Sequence, residues 1–227
     1  MALTDQRLGT FNQFDTSSLV TSATRTFNLD RDPTSVFTSP ALDASVTGFV
    51  VLLADKTLLT SQKYELLFKG AISNSSFITV GGFRDQRNFS INDLKSGFMR
   101  GLTFSNSYIS DSNVLTELEY EYAKYNAKAS YETYKSNSYD LNITSGLGSG
   151  WGFKASISHV KKSHFSPLPV FGERKEELNS INLEFSNSTS DNCLFASYGI
   201  SRNNNKSSIN IFSKSNLQVT ADFSYLC

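Results

Sequence analysis

The chain has 227 residues, 21 basic and 21 acidic side chains, 39% hydrophobic residues and a mean hydropathy of -0.27. A formal net charge of zero argues against a nucleic-acid surface or a polybasic membrane tether. The length suits one domain, or one β-barrel of up to about a dozen strands. No stretch approaches the roughly 18 apolar residues of a spanning helix, yet the low hydropathy is also that of a membrane barrel, in which half of each strand is polar.

Residues 1–42 are rich in Thr, Ser and Asp, contain Pro33 and Pro40, and hold no period for long, which predicts an extended arm or plug-like segment. The opening "MALTDQRLGTFNQF" lacks the basic start and apolar centre of a secretory signal, so export is expected only of a mature form or fragment. From Asp43 to Cys227 short alternating runs replace this, and the pattern predicts strands at about 44–54, 63–72, 77–84, 97–109, 114–125, 127–135, 138–147, 151–162, 177–187, 193–202, 207–213 and 216–226. No segment keeps a helical period for more than two turns, and "SINDLKSGFM" at 90–99 is the one candidate for a short helix. Between the strands lie "SDSN", "KSN", "GSG", "TSDN", "RNNNK" and "SKSN", rich in the residues that tight hairpins need. The expected fold is all-β: an antiparallel up-and-down meander of about 12 strands over 43–227, closed into a β-barrel because closure removes unpaired edges.

Successive side chains of a strand point to opposite faces, so each run divides into two stripes. At 114–125 Glu117, Glu119 and Glu121 share one face, and Leu118, Tyr120 and Tyr122 the other. Three carboxylates in a row do not sit in a dry core, given their desolvation cost. Further along, Asp140, Lys154 and Glu184 oppose Leu141, Phe153 and Leu183. In the closing run Leu217, Val219, Ala221, Phe223 and Tyr225 face away from Asp222. Periodicity alone leaves open whether the greasy stripe meets a protein core or lipid. The stripes are about nine to eleven residues long, the reach of a tilted strand across a bilayer. Tyr120, Tyr122, Tyr125, Tyr131, Tyr134, Tyr139, Trp151 and Tyr225 lie mostly near strand ends, as an interfacial girdle would.

"FGERKEELNSINLEFSN" followed by "LFASYGISRNNNKSSINIFSKSNLQVTADFSYL" resembles the C-terminal part of outer-membrane barrels that follow periplasmic tetratricopeptide repeats, such as surface lipoprotein assembly modifiers and export porins. Arg174 with Glu176, Asn203 to Asn205 with Ser207 and Ser208, Phe212, Lys214, and Phe223 with Tyr225 fill the places of that pattern, over about a quarter of the chain. The chain departs from it in having no repeat domain and in ending with Leu226 and Cys227 rather than Phe or Trp.

The expected function is therefore an outer-membrane β-barrel acting as a passive pore or as the membrane part of an export system, with Glu117, Glu119, Glu121, Asp140, Lys154, Glu184 and Asp222 lining the pore. Leu217, Val219, Ala221, Phe223 and Tyr225 would face lipid. Outer-membrane lipid and a periplasmic or secreted protein are the expected partners. The alternative is a soluble all-β surface or virion component whose N-terminal arm contacts a neighbouring subunit. No enzyme and no cofactor is expected: His159 falls on the apolar stripe and His164 beside Ser166 in a loop, with no orienting acid in view. Cys193 and Cys227 match no zinc pattern with these histidines and are expected as unpaired thiols. If the closing strand ends at the periplasm, this strand count puts the long connection 163–176 there too, where barrel loops are short.

Overall fold

The computed structural model describes residues 2–6, 16–29, 37–53, 56–188 and 194–225. Its strands are β1 (Ala2–Gln6), β2 (Thr16–Asn28), β3 (Thr38–Leu53), β4 (Lys56–Ala71), β5 (Ser76–Phe89), β6 (Gly97–Ile109), β7 (Val114–Ala127), β8 (Tyr134–Gly148), β9 (Trp151–His164), β10 (Lys175–Ser188), β11 (Leu194–Ser207) and β12 (Lys214–Tyr225). They form one 12-stranded antiparallel sheet in which each strand pairs with its neighbours in sequence. The all-β meander is thus as expected from the alternation. No helix among the described residues is long and apolar enough to cross a membrane, which says nothing of crossing by strands.

Five features differ from the expectation. The segment 1–42 supplies β1 and β2 and the start of β3, so the boundary at 42/43 falls inside a strand. The predicted strand 127–135 is the end of β7, a 3-10 turn at Ser130–Glu132 and the start of β8. The predicted strand 207–213 is likewise a turn, with a 3-10 segment at Asn210–Phe212, and the helical period at 90–99 shrinks to Asp93–Lys95. All three turns close in one way: the N–H of Phe89, Ala127 and Ser207 donates to the hydroxyl of Ser96, Thr133 and Ser213 at 2.8, 3.1 and 3.0 Å. A side-chain oxygen competing for a backbone donor ends the ladder there, and the flanking residues cannot continue as strand.

Removing 207–213 from the strand list reverses the polarity of β12. The connections 90–96, 128–133, 165–174 and 208–213 share one rim, and 72–75, 110–113 and 149–150 share the other, where β12 ends. The long connection after β9 therefore lies on the rim opposite the end of β12, which corrects the expected clash between loop length and side. At the short-turn rim the β8–β9 hairpin turns through Gly148, Ser149 and Gly150 at φ of 82, 52 and 80°, a run of left-handed backbone that glycine enters without steric cost.

Closure is the fifth difference. Among the described residues no ladder joins β1 to β12, and β1 pairs over five residues with β2 alone. Among the described residues the sheet is open and keeps an unpaired edge at each end.

Register places the polar stripes of all strands on one face. Glu121 lies opposite Thr103 and Ser138, Asp140 opposite Ser158, and Glu184 opposite Lys154 and Gly199. The sheet bends toward this face. Gly81, Gly97 and Gly101 all sit on it, and a Cβ added at Gly101 would come within 2.5 Å of the Tyr122 carbonyl oxygen and 2.6 Å of the Phe83 ring. Inward glycines covered by an aromatic ring let a sheet curve. Arg87 of β5 also reaches over the Tyr125 ring of β7, two strands away, at 5.9 Å. Gly101→Val is expected to cost about 1–3 kcal/mol through overpacking, read as a lower urea midpoint. Gly146→Val, where an added Cβ meets nothing within 4 Å, should leave the midpoint in place.

Candidate functional site

The two faces invert the usual distribution of burial. The apolar face carries Val46, Leu66, Leu102, Leu118, Ile157, Ile181 and Val219 in the open, Leu118 at 51% and Val219 at 74% exposure. The concave polar face holds the buried groups, among them Asp85 at 3% and Glu176 at 6%, with Phe83, Ala123 and Tyr125. So many exposed apolar side chains on one face are rare on soluble monomers and are the mark of an interaction surface.

Every sequence-predicted lining residue falls on the polar face by register. Glu119 stands directly across from Asp140, and Glu184 directly across from Lys154. Asp222 pairs with Ser197 on that face, although its side chain lies outside the described residues. The carboxylates are held by small hydroxyls: Ser107 donates to Glu117 at 3.4 Å, Thr103 to Glu119 at 3.5 Å and Ser138 to Asp140 at 2.7 Å. Leu217, Val219 and Ala221 are exposed on the opposite face. Phe223 and Tyr225 continue that stripe by register, their side chains lying outside the described residues, as do Cys193 and Cys227.

The tyrosine girdle needs correction. Tyr125 and Tyr134 point to the polar face and form a row with His164, ring centroids 5.4 Å apart at each step across β7, β8 and β9. Each sits one position out of phase with the apolar stripe, so it belongs with the glutamates. Aromatics do collect on the apolar face near the short-turn rim, where Phe153 and Phe185 meet at 5.0 Å beside Trp151 and Tyr198.

Near the long-loop rim the polar face carries a cluster that the sequence reading missed. Arg87 Nε donates to Asp85 at 2.6 Å, and Ser61 donates to the same carboxylate. Lys63 pairs with Glu65 at 2.9 Å and lies 4.7 Å from the centre of the Phe83 ring. Farther round, Arg174 binds the buried Glu176 through Nε and a terminal nitrogen at 3.0 and 2.7 Å and stacks on Phe212 at 4.0 Å. Above them the loops are tied together by Lys128, which donates to both oxygens of Asp93 at 2.7 and 2.6 Å. This lysine, helped by Ser96, holds the Asp93 carboxyl below its ordinary 3.8. Because the shift is downward, the contact persists above that value and is lost as the pH falls below it. The run Phe83, Asp85, Arg87 shows its alternation in sequence, but nothing local says that the ends of β5, β7 and β8 meet.

His159 and His164 lie on opposite faces and cannot join in one site. His159 Nδ1 pairs with the Asn179 side-chain oxygen at 2.6 Å, and His164 Nδ1–H donates to the Tyr131 carbonyl at 3.0 Å. Among the described residues no group of His, Cys, Asp or Glu is placed to hold a metal ion. A groove of about 710 Å³ runs over β9 to β12, lined by Ser158, Ser180, Asn203, Asn205, Lys214 and Asn216. Its amides and hydroxyls, with the cation of Lys214, contrast with the glutamates of β7. The chain matches no protein-family model and no curated protein, so its function has to be read from these two faces.

Proposed function

We propose that this sheet closes on itself as a transmembrane β-barrel of the bacterial outer membrane and serves as a passive pore or as the membrane part of an export system. The observation that carries the reading is the inversion of its faces: apolar side chains stand exposed on the convex side, while the concave side is polar and holds the buried groups. Strands β2 to β12 are 12 to 16 residues long, more than the roughly 9–11 a tilted strand needs to cross the hydrocarbon. Closure would pair the two free edges. Among the fully described connections the longer ones, 90–96, 128–133, 165–174 and 208–213, lie on one rim and the shorter ones on the other, where the last strand ends, as in the usual barrel asymmetry. The nine-residue link between β2 and β3 and the two-residue link between β3 and β4 run the other way. The interior would then mix a glutamate stripe on β7 with a β9 to β12 surface of Ser and Asn interspersed with charges of both signs, among them Lys154, Glu184 and Lys214, a wet lining suited to a polar solute.

The test is to express the chain behind a cleavable export signal, fractionate, and run the membrane fraction unboiled and boiled on a denaturing gel. The expected result is a heat-modifiable band in the outer membrane and stepwise conductance after transfer to a planar bilayer. A soluble protein of unchanged mobility would refute the reading and favour the all-β binding protein, whose partner would cover the apolar face.

A further inference from the structure

Across β5 to β8 the register brings four cations into a single row on the apolar face: Arg84 lies directly opposite Arg100, Arg100 opposite Lys124, and Lys124 opposite Lys135. Neighbouring strands are about 4.8 Å apart, and like charges directly opposite one another destabilise a sheet. Nothing on that face relieves them. Among the described strand residues it carries two carboxylates by register, Asp5 on β1, four strands away from Arg84, and Glu177, which is paired with Lys161 at 3.7 Å. None of the four forms an ion pair with a described residue. Arg84 rests over Phe98 at 5.4 Å and Lys124 over Phe165 at 5.0 Å, contacts to ring faces that leave the hydrogen-bond donors free. Toward the long-loop rim the same strands continue with Gln86, Asn88, Asn126 and the aromatic Phe98, and toward the other rim with Val80, Leu102, Phe104 and Leu118. The row therefore lies where the apolar surface ends and the polar surface begins.

Resting on the membrane reading above, we propose that Arg84, Arg100, Lys124 and Lys135 bind the headgroup of a lipid bearing more than one phosphate, whose acyl chains lie on Leu102, Phe104 and Leu118. Charge complementarity selects the occupant. Four positive charges spread over about 14 Å match separated phosphates better than a single one, and the adjoining exposed apolar band matches the chains. Soluble polyanions lack the second half of this match.

The full chain is refolded into phosphatidylcholine vesicles, with and without a minor fraction of cardiolipin as the doubly phosphorylated probe. Lipids that stay bound after extraction are weighed by native mass spectrometry. Wild-type protein is expected to retain cardiolipin about tenfold above its share of the bilayer, through cations held near the surface. Arg84→Gln/Arg100→Gln/Lys124→Gln/Lys135→Gln should retain it near its bulk share while still showing heat-modifiable mobility. High salt should abolish the wild-type enrichment, which decides the matter if the fourfold variant does not fold. Equal retention by wild type and variant, or enrichment unaffected by salt, would overturn the proposal. So would binding of inorganic pyrophosphate to wild-type protein in pure phosphatidylcholine vesicles as tightly as cardiolipin binds, since the apolar band would then add nothing and the row would be a site for free phosphate. Failure of the wild-type protein to insert even into pure phosphatidylcholine would count against the membrane reading itself, separately from these outcomes.

Discussion

Arginine at both Leu118 and Ile157 is expected to abolish insertion into lipid. These residues lie on β7 and β9 at the same cross-strand level, Leu118 opposite Leu141 and Leu141 opposite Ile157, in the middle of the apolar face. Each is about half exposed, at 51%. An arginine facing lipid near the bilayer midplane costs about 2–4 kcal/mol, so the pair costs about 4–8 kcal/mol when the two sites act independently. That is comparable to the whole stability of a typical domain. The measurement is the urea dependence of folding into phosphatidylcholine vesicles, read by heat-modifiable mobility, with single variants alongside the double. Ser156→Arg on the polar face of β9 serves as the control and should change the midpoint little. A double variant that folds at the wild-type midpoint would mean that this face does not meet hydrocarbon. A variant of Ser156 as damaging as the double would put the polar face, not the apolar one, against lipid.

Arg87→Met is expected to be the most damaging single change on the polar face. Asp85 is 3% exposed, and its charge is answered by the Arg87 guanidinium at 2.6 Å. Lys63, directly opposite Asp85, is engaged by Glu65. Removing one member of a buried pair leaves the other charge uncompensated and costs about 3–5 kcal/mol, more than the pair itself contributes relative to a well-packed apolar substitute. Two comparisons isolate this cause. Asp85→Asn with Arg87→Met removes both charges and should restore much of the lost stability. Lys128→Met breaks an ion pair whose members are 59 and 69% exposed, and is expected to shift the urea midpoint hardly at all. If the single and double variants at the buried pair are equally unstable, the charge of Asp85 is not what Arg87 holds in place, and the loss is one of packing over Tyr125.

Much of the architecture was legible because the period of a strand is a local property. Alternate side chains point to opposite faces whatever the strand packs against, so Glu117 and Leu118 separate in the sequence as they do in the sheet. Strands β5 to β12 fall close to the predicted runs, apart from the two short stretches that proved to be turns. Those failed for an equally local reason that propensity does not capture: a hydroxyl at Thr133 or Ser213 takes a backbone donor away from the ladder. The misreading of 207–213 inverted the polarity of the last strand and produced the apparent conflict over the 165–174 loop.

Alternation by itself determined the all-β class, the hairpin order and the membership of each stripe, since each depends on residues a few positions apart. Only the tertiary structure decided which stripe lies on the concave side, that the segment 1–42 supplies strands, and that the described edges are unpaired. It alone brought Arg84, Arg100, Lys124 and Lys135 into one row, and Asp85 and Arg87 beside Tyr125. The physical reason is register. Which residue stands across from which is set by the turns and by pairing over the whole strand, and a slip of one position would send every side chain to the other face. Curvature adds the rest, because small residues such as Gly101 let the polar side close in and leave the apolar side open.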